Sequence, residues 1–132
     1  FGSLMAMAGM TSVNGRSFTF DKRADGYARG EAVTMGMMTV LDEDRVASKM
    51  ELRGSAVRQD GKSASLTAPS GQAQRGVLGA ALADSGVVPA QVAMLEAHGT
   101  GTALGDPIEA GSMAAGFLSH RSGCGAFVAA TQ

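Results

Sequence analysis

Apolar positions change their spacing several times along this 132-residue chain, and each change marks an element. Residues 1–15 are small, Met-rich and uncharged and end in Val13-Asn14-Gly15, the pattern of a buried segment followed by a turn. Phe18-Thr19-Phe20-Asp21 and Ala24-Asp25-Gly26-Tyr27 read as a loop held by aromatic plugs, its Asp side chains bonding nearby N–H groups. Residues 32–41 (AVTMGMMTVL) are nearly all apolar over the length of one strand, which predicts a strand covered on both faces and ended by Leu41-Asp42-Glu43-Asp44. Residues 49–57 (KMELRGSAV) alternate instead, with Met50, Leu52 and Gly54 on one side, and predict a strand with a more exposed face before a turn at Gln59-Asp60-Gly61.

The period then becomes helical. After Pro69, Ser70 is placed to cap a helix in which Ala73, Val77, Leu78, Ala81 and Leu82 share a face, and Gly86 suits a left-handed end. Residues 92–96 (VAMLE) form a short strand leading into His98-Gly99-Thr100-Gly101-Thr102. A second helix is predicted from Asp106 as cap, with Pro107 at its first position and Glu109 reaching back, to about Leu118; residues 126–131 (AFVAAT) read as another strand. Helices between apolar strands make an α/β sandwich with parallel pairing after Ser70.

Composition narrows the function. Eleven Lys plus Arg against twelve Asp plus Glu, with no block of like charge, lack the footprint of a nucleic-acid binder or a polybasic membrane anchor. Small molecules or proteins remain as partners. Glycine is 19 of 132 residues but without a period, which disfavours repeat architectures and places glycines in turns and close backbone approaches. A single cysteine, Cys124, can form neither an internal disulfide nor a Cys-rich zinc site, so a reducing, cytoplasmic setting is expected, and no stretch reaches the roughly 20 apolar residues of a membrane helix. Seven of the nine methionines precede residue 51 and are expected as core gap-fillers rather than a binding surface.

The chemistry concentrates in residues 96–109, between a strand and a helix, where parallel α/β folds place ligands. Gly99 and Gly101 permit unusual backbone angles, Thr100 and Thr102 offer hydroxyls, and His98 can present its imidazole to a pocket. Gly99, Gly101 and Gly105 give G-x-G-x-x-x-G, which misses the dinucleotide fingerprint by one residue and lacks its downstream acid. A metal set of His98, Asp106 and Glu109 competes with helix capping, which already explains both carboxylates.

The run EAHGTGTALGDPIEA resembles the β-ketoacyl synthases, especially the ketosynthase domains of polyketide synthases. Three further blocks follow the family's order: Phe20-Asp21 with Ala24-Asp25-Gly26-Tyr27 and Arg29-Gly30-Glu31; Arg53-Gly54-Ser55-Ala56-Val57 with Gln59-Asp60-Gly61; and Leu66-Thr67-Ala68-Pro69. The resemblance implies a thiolase-like αβαβα sandwich, of which this chain is an incomplete fragment spanning the junction of the two halves, 1–45 ending the first and 46–132 beginning the second. It implies a decarboxylative Claisen condensation between an acyl thioester and a malonyl-type thioester, with acyl carrier protein as partner and a homodimer as the full domain. Polyketide rather than fatty-acid synthesis is expected, because single-purpose fatty-acid enzymes more often carry Ser at the position of Gly101.

By the same resemblance His98 is catalytic, Thr100 and Thr102 bond the phosphopantetheine arm carried by the acyl carrier protein, and Gly99, Gly101, Asp106 and Glu109 support the site. No metal and no directly bound cofactor are expected. The family's nucleophilic Cys, its Lys and its second His find no match in these residues, so the fragment alone is expected to be inactive. Cys124 and His120 lie in contexts that do not match and read as structural and surface residues. Ala32 and Arg58 stand where the family often has Gly and Asn. A non-catalytic relative such as a chain-length factor, binding carrier protein without condensing, and a nucleotide-binding α/β domain are the alternatives.

Overall fold

A computed structural model of the chain describes residues 2–40, 50–65, 67–118 and 127–129. The element order is helix α1 (Gly2–Met7), helix α2 (Gly71–Ser85), a 3-10 turn (Pro89–Gln91), strand β1 (Met94–Glu96), helix α3 (Gly105–Met113) continued by a π turn (Ala114–Leu118), and strand β2 (Phe127–Ala129). β1 and β2 pair in parallel, Met94 opposite Phe127, Leu95 opposite Val128 and Glu96 opposite Ala129, with α3 in the crossover. This is the β-α-β order expected from the helical and extended periods after Ser70.

α2 has the ends its sequence predicts. The Ser70 hydroxyl accepts the Ala73 N–H at 3.2 Å, and Gly86 closes the helix at φ 66°. The Asp60 carboxylate accepts the Ser70 N–H at 3.0 Å, tying the Gly61 turn to the helix start. α2 lies against α3 through a small-residue contact: the Ser112 hydroxyl donates to the carbonyl of Gly71 at 3.2 Å and to that of Ile108 at 2.8 Å. A Cβ on Gly71 would already touch Ile108 and Ser112. Met113 and Phe117, at the end of α3 and in its π turn, are the buried hydrophobic side chains among the described residues.

Other expectations need correction. Residues 32–40 form no strand, and their side chains are exposed, Met35 at 98% and Met37 at 99%. An apolar run becomes a central strand only when neighbours pair with its backbone and cover both faces, and no described residue does either. Residues 50–57 are likewise in no strand; Met50 and Leu52 are exposed, while Gly54 sits so close to α2 that a Cβ would lie 2.6 Å from the Ser85 nitrogen. The Ser55 N–H donates to Asp84 at 2.9 Å, and the Arg58 side chain lies over Gly76, so this segment rests on α2 rather than in a sheet. Residues 2–15 are a short helix and a turn at Gly15, not a buried segment, and most methionines face outward, with Met113 the buried exception. His120, Cys124, the acidic run after Leu41 and the junction near residue 45 lie outside the described residues.

So much uncovered apolar surface predicts self-association of the isolated chain. Sedimentation velocity on the 132-residue chain is expected to show species larger than a monomer, and Met35→Lys with Met37→Lys to shift the distribution downward. A clean monomer before substitution would contradict the prediction.

Candidate active site

The residues singled out in sequence converge on one loop, 97–104, between β1 and α3. Its two key glycines are both buried and both left-handed, Gly99 at φ 54° and Gly101 at φ 73°. This backbone turns N–H groups away from any regular ladder, and buried N–H groups require acceptors. α3 supplies them. Glu109 accepts the His98 N–H at 2.7 Å on one carboxylate oxygen and the Gly99 N–H at 2.9 Å on the other. Asp106 accepts the Gly101 N–H at 3.1 Å and, with its second oxygen, the Phe20 N–H at 2.7 Å. Residues three apart on a helix share a face, so the spacing from Asp106 to Glu109 aims both carboxylates at the loop.

Asp106 is therefore not the helix cap expected from sequence. α3 starts two residues earlier, at Gly105, the Thr102 hydroxyl accepting the Gly105 N–H at 3.1 Å and the Thr102 carbonyl accepting the Asp106 N–H at 3.2 Å. Pro107 still falls in the first turn, where its missing N–H costs nothing. Glu109 reaches beyond the helix end to the loop. A Cβ on Gly105 would collide with the Thr102 hydroxyl, so glycine is required there.

The other side of the loop is held by a segment some eighty residues upstream. The Thr19 hydroxyl donates to the Gly99 carbonyl, and the Gly26 N–H donates to the Gly101 carbonyl at 2.9 Å. Gly26 is itself left-handed at φ 132°, and a Cβ there would sit 2.6 Å from the Ser12 nitrogen. Tyr27 joins residues 10–12 through its N–H to the Met10 carbonyl and its carbonyl to the Ser12 N–H. Phe20 adopts φ 56°, a costly angle for a residue with a side chain, at the point where its N–H meets Asp106. The sequence marks Phe20 as an aromatic plug and gives Thr19 no role; Thr19 lies just before the first motif block, which opens at Phe20.

The resulting cleft encloses about 430 Å³ and is lined by His98, Thr100, Thr102, Glu109, Tyr27 and Gln74 among others. The Thr100 and Thr102 hydroxyls are 3.4 Å apart, and among the described residues Gln74 carries a buried Oε1 without a hydrogen-bond partner. All four carboxylate oxygens of Asp106 and Glu109 hold backbone N–H groups, and among the described residues no three His, Cys, Asp or Glu side chains are grouped to hold a metal ion. The same bonds occupy the N–H groups of His98, Gly99 and Gly101, which a phosphate-cradling glycine loop would offer to a nucleotide. Among the described residues no helix is long and apolar enough to cross a membrane.

Residues 50–131 match the model of the family described as beta-ketoacyl synthase, C-terminal domain. The chain belongs to the β-ketoacyl synthase family. It is 47% identical over 118 residues to a component of the phenolphthiocerol/phthiocerol polyketide synthase of Mycobacterium tuberculosis, matching 87% of this chain and 5% of that protein. Erythronolide synthase EryA2 of Saccharopolyspora erythraea is 48% identical over 111 residues, 82% of this chain and 3% of the relative. Among solved structures, the ketosynthase from module 6 of the bacillaene synthase of Bacillus subtilis 168 superposes with a TM-score of 0.79 at 27% identity, over 98% of this chain and 24% of that one. The chain is thus a piece of a thiolase-like ketosynthase domain of the polyketide synthase kind, as the four ordered blocks implied, and it spans only a small share of its relatives' length.

Two outcomes follow from the geometry. Asp106→Asn keeps one acceptor and turns an amide NH2 toward a backbone N–H, so it is expected to lower the stability of the ketosynthase domain by about 1–3 kcal/mol in denaturant unfolding. Arg23 pairs with Asp21 at 2.9 Å and lies 4.6 Å from the Phe18 ring centre; its side-chain hydrogen bond, then its backbone N–H, lowers the Asp21 pKa from 3.8 to about 2. A carboxyl group held below its unfolded value stabilises the fold above pH ~4, and that contribution is lost as pH falls toward ~2. Carbon-detected NMR titration is expected to place the Asp21 midpoint near 2 and to move it upward in Arg23→Ala.

Proposed function

We propose that this chain carries the first catalytic histidine and part of the thioester-arm cleft of a polyketide synthase ketosynthase that performs decarboxylative condensation. In the reaction, the bond from the malonyl α-carbon to its carboxylate breaks, carbon dioxide leaves, and the electron pair forms an enolate on the thioester. That carbon then attacks an acyl group held as a thioester on a cysteine elsewhere in the domain, and the cysteine thiolate departs.

What supports the reading is the backbone clamp beneath His98. An imidazole N–H accelerates decarboxylation only if it already points to where the enolate oxygen gains charge, because reorganisation during the reaction forfeits the advantage. His98 lines the cleft while its own N–H and that of Gly99 are held by Glu109. Thr100 and Thr102, on the same wall, would bond the amide-bearing phosphopantetheine arm, and the cleft's mixed hydroxyl and apolar lining fits an extended chain of that kind. When loaded, that arm delivers the malonyl thioester; the protein's residues orient it and supply the hydrogen-bond donor. An acyl carrier protein partner, a homodimeric full domain and the division between halves near residue 45 belong to the same reading, the family match beginning at residue 50 in keeping with the last.

The test uses the complete ketosynthase domain that contains this chain. His98→Ala is expected to slow carbon dioxide release from a malonyl thioester by about a hundredfold or more, the loss of roughly 3 kcal/mol of preorganised donor. The 132-residue chain alone is expected to release none. An alanine variant with the parent rate would overturn the assignment.

A further inference from the structure

The two left-handed glycines of the histidine loop are gripped in the same way. Each gives its N–H to a carboxylate of α3, Gly99 to Glu109 and Gly101 to Asp106. The carbonyl of each accepts from the segment 19–26, that of Gly99 from the Thr19 hydroxyl and that of Gly101 from the Gly26 N–H. Three of these four partners have an evident requirement: two are acids in the helix, and the third is a backbone N–H at a glycine that tolerates no side chain. The fourth is a side-chain hydroxyl contributed by a single residue, Thr19, and it acts on the peptide that joins Gly99 to Thr100.

We propose that Thr19 is a positioning residue for His98. The inference rests on the proposed role of His98 but concerns a different residue, on a segment outside the loop. The peptides flanking Gly99 are the ones whose rotation would swing the His98 backbone, and glycine offers them little resistance of its own. Glu109 fixes the N-terminal peptide through the Gly99 N–H, and the peptide before it through the His98 N–H; as an acceptor it cannot hold the carbonyl of the C-terminal one. The Thr19 hydroxyl fills that place. It is carried next to Phe20, whose left-handed backbone is itself held by Asp106, so the hydroxyl's position is set by the same carboxylate that holds Gly101. Small displacements of a catalytic group cost rate steeply.

The experiment compares Thr19→Val, Thr19→Ala and Thr19→Ser in the complete ketosynthase domain, reading kcat and KM for decarboxylation of a malonyl thioester together with the folded fraction from thermal unfolding. The hydroxyl deletions, Val and Ala, are expected to lower kcat by about tenfold with KM within about twofold of the parent, and Ser to restore kcat to within about twofold. Val or Ala variants at the parent kcat, a Ser variant as impaired as Val, or a loss that only tracks the folded fraction would each overturn the proposal. Failure of the underlying reading is separately visible: the parent domain would then release no carbon dioxide, or His98→Ala would leave its rate unchanged.

Discussion

Two left-handed glycines two residues apart, Gly99 and Gly101, cannot stand unsupported in a protein interior. Their N–H groups leave the strand β1 without joining α3, and the cost of burying each unpaired would exceed what a short loop contributes to folding. Asp106 and Glu109 resolve this by accepting four backbone N–H groups between them, each bond strengthened by the acceptor's charge. Everything else about the site depends on that exchange. The helix must start before Asp106 so that its carboxylate is free to turn back, and Thr102 takes over the end of the helix. With the N–H groups of His98, Gly99 and Gly101 consumed internally, the side chains of His98, Thr100 and Thr102 are left to line the cleft.

The site also joins parts of the chain that are far apart in sequence. Thr19, Phe20 and Gly26 reach residues 99–106 across about eighty positions, so the histidine loop is completed by a segment that no local pattern connects to it. Closing such a loop costs entropy that grows only slowly with length, and several hydrogen bonds offset it together. Around this stitched centre the chain is thinly covered. The exposed run 32–40 has the composition of a central strand and no described strand beside it, in a chain that spans about a quarter of the ketosynthase it superposes on. Stability and chemistry thus have different reach: the loop is braced by residues far apart in this chain, whereas the buried hydrophobic side chains among the described residues are Met113 and Phe117.

Local physics made much of this readable from the amino-acid order. Ser70 and Gly86 bound α2 because a hydroxyl and a residue without Cβ satisfy orphan groups at helix ends wherever they occur. The strand before His98, the helix after it and their parallel partner at residues 127–129 followed from period and length, and the four motif blocks placed the chain in its family before any contact was known. What tertiary structure alone decided was the direction of each polar group. Asp106 reads as a cap by position and serves as a bridge from Gly101 to Phe20; Glu109 reads as closing a capping box and holds the histidine's own peptide; Thr19 carries no local signal at all. An apolar run likewise states that it will be buried without stating by what, and residues 32–40 show the consequence. Local energies depend on neighbours within a few residues and are written in order along the chain, whereas hydrogen-bond partners and burial depend on which distant segments arrive, which only the folded arrangement sets.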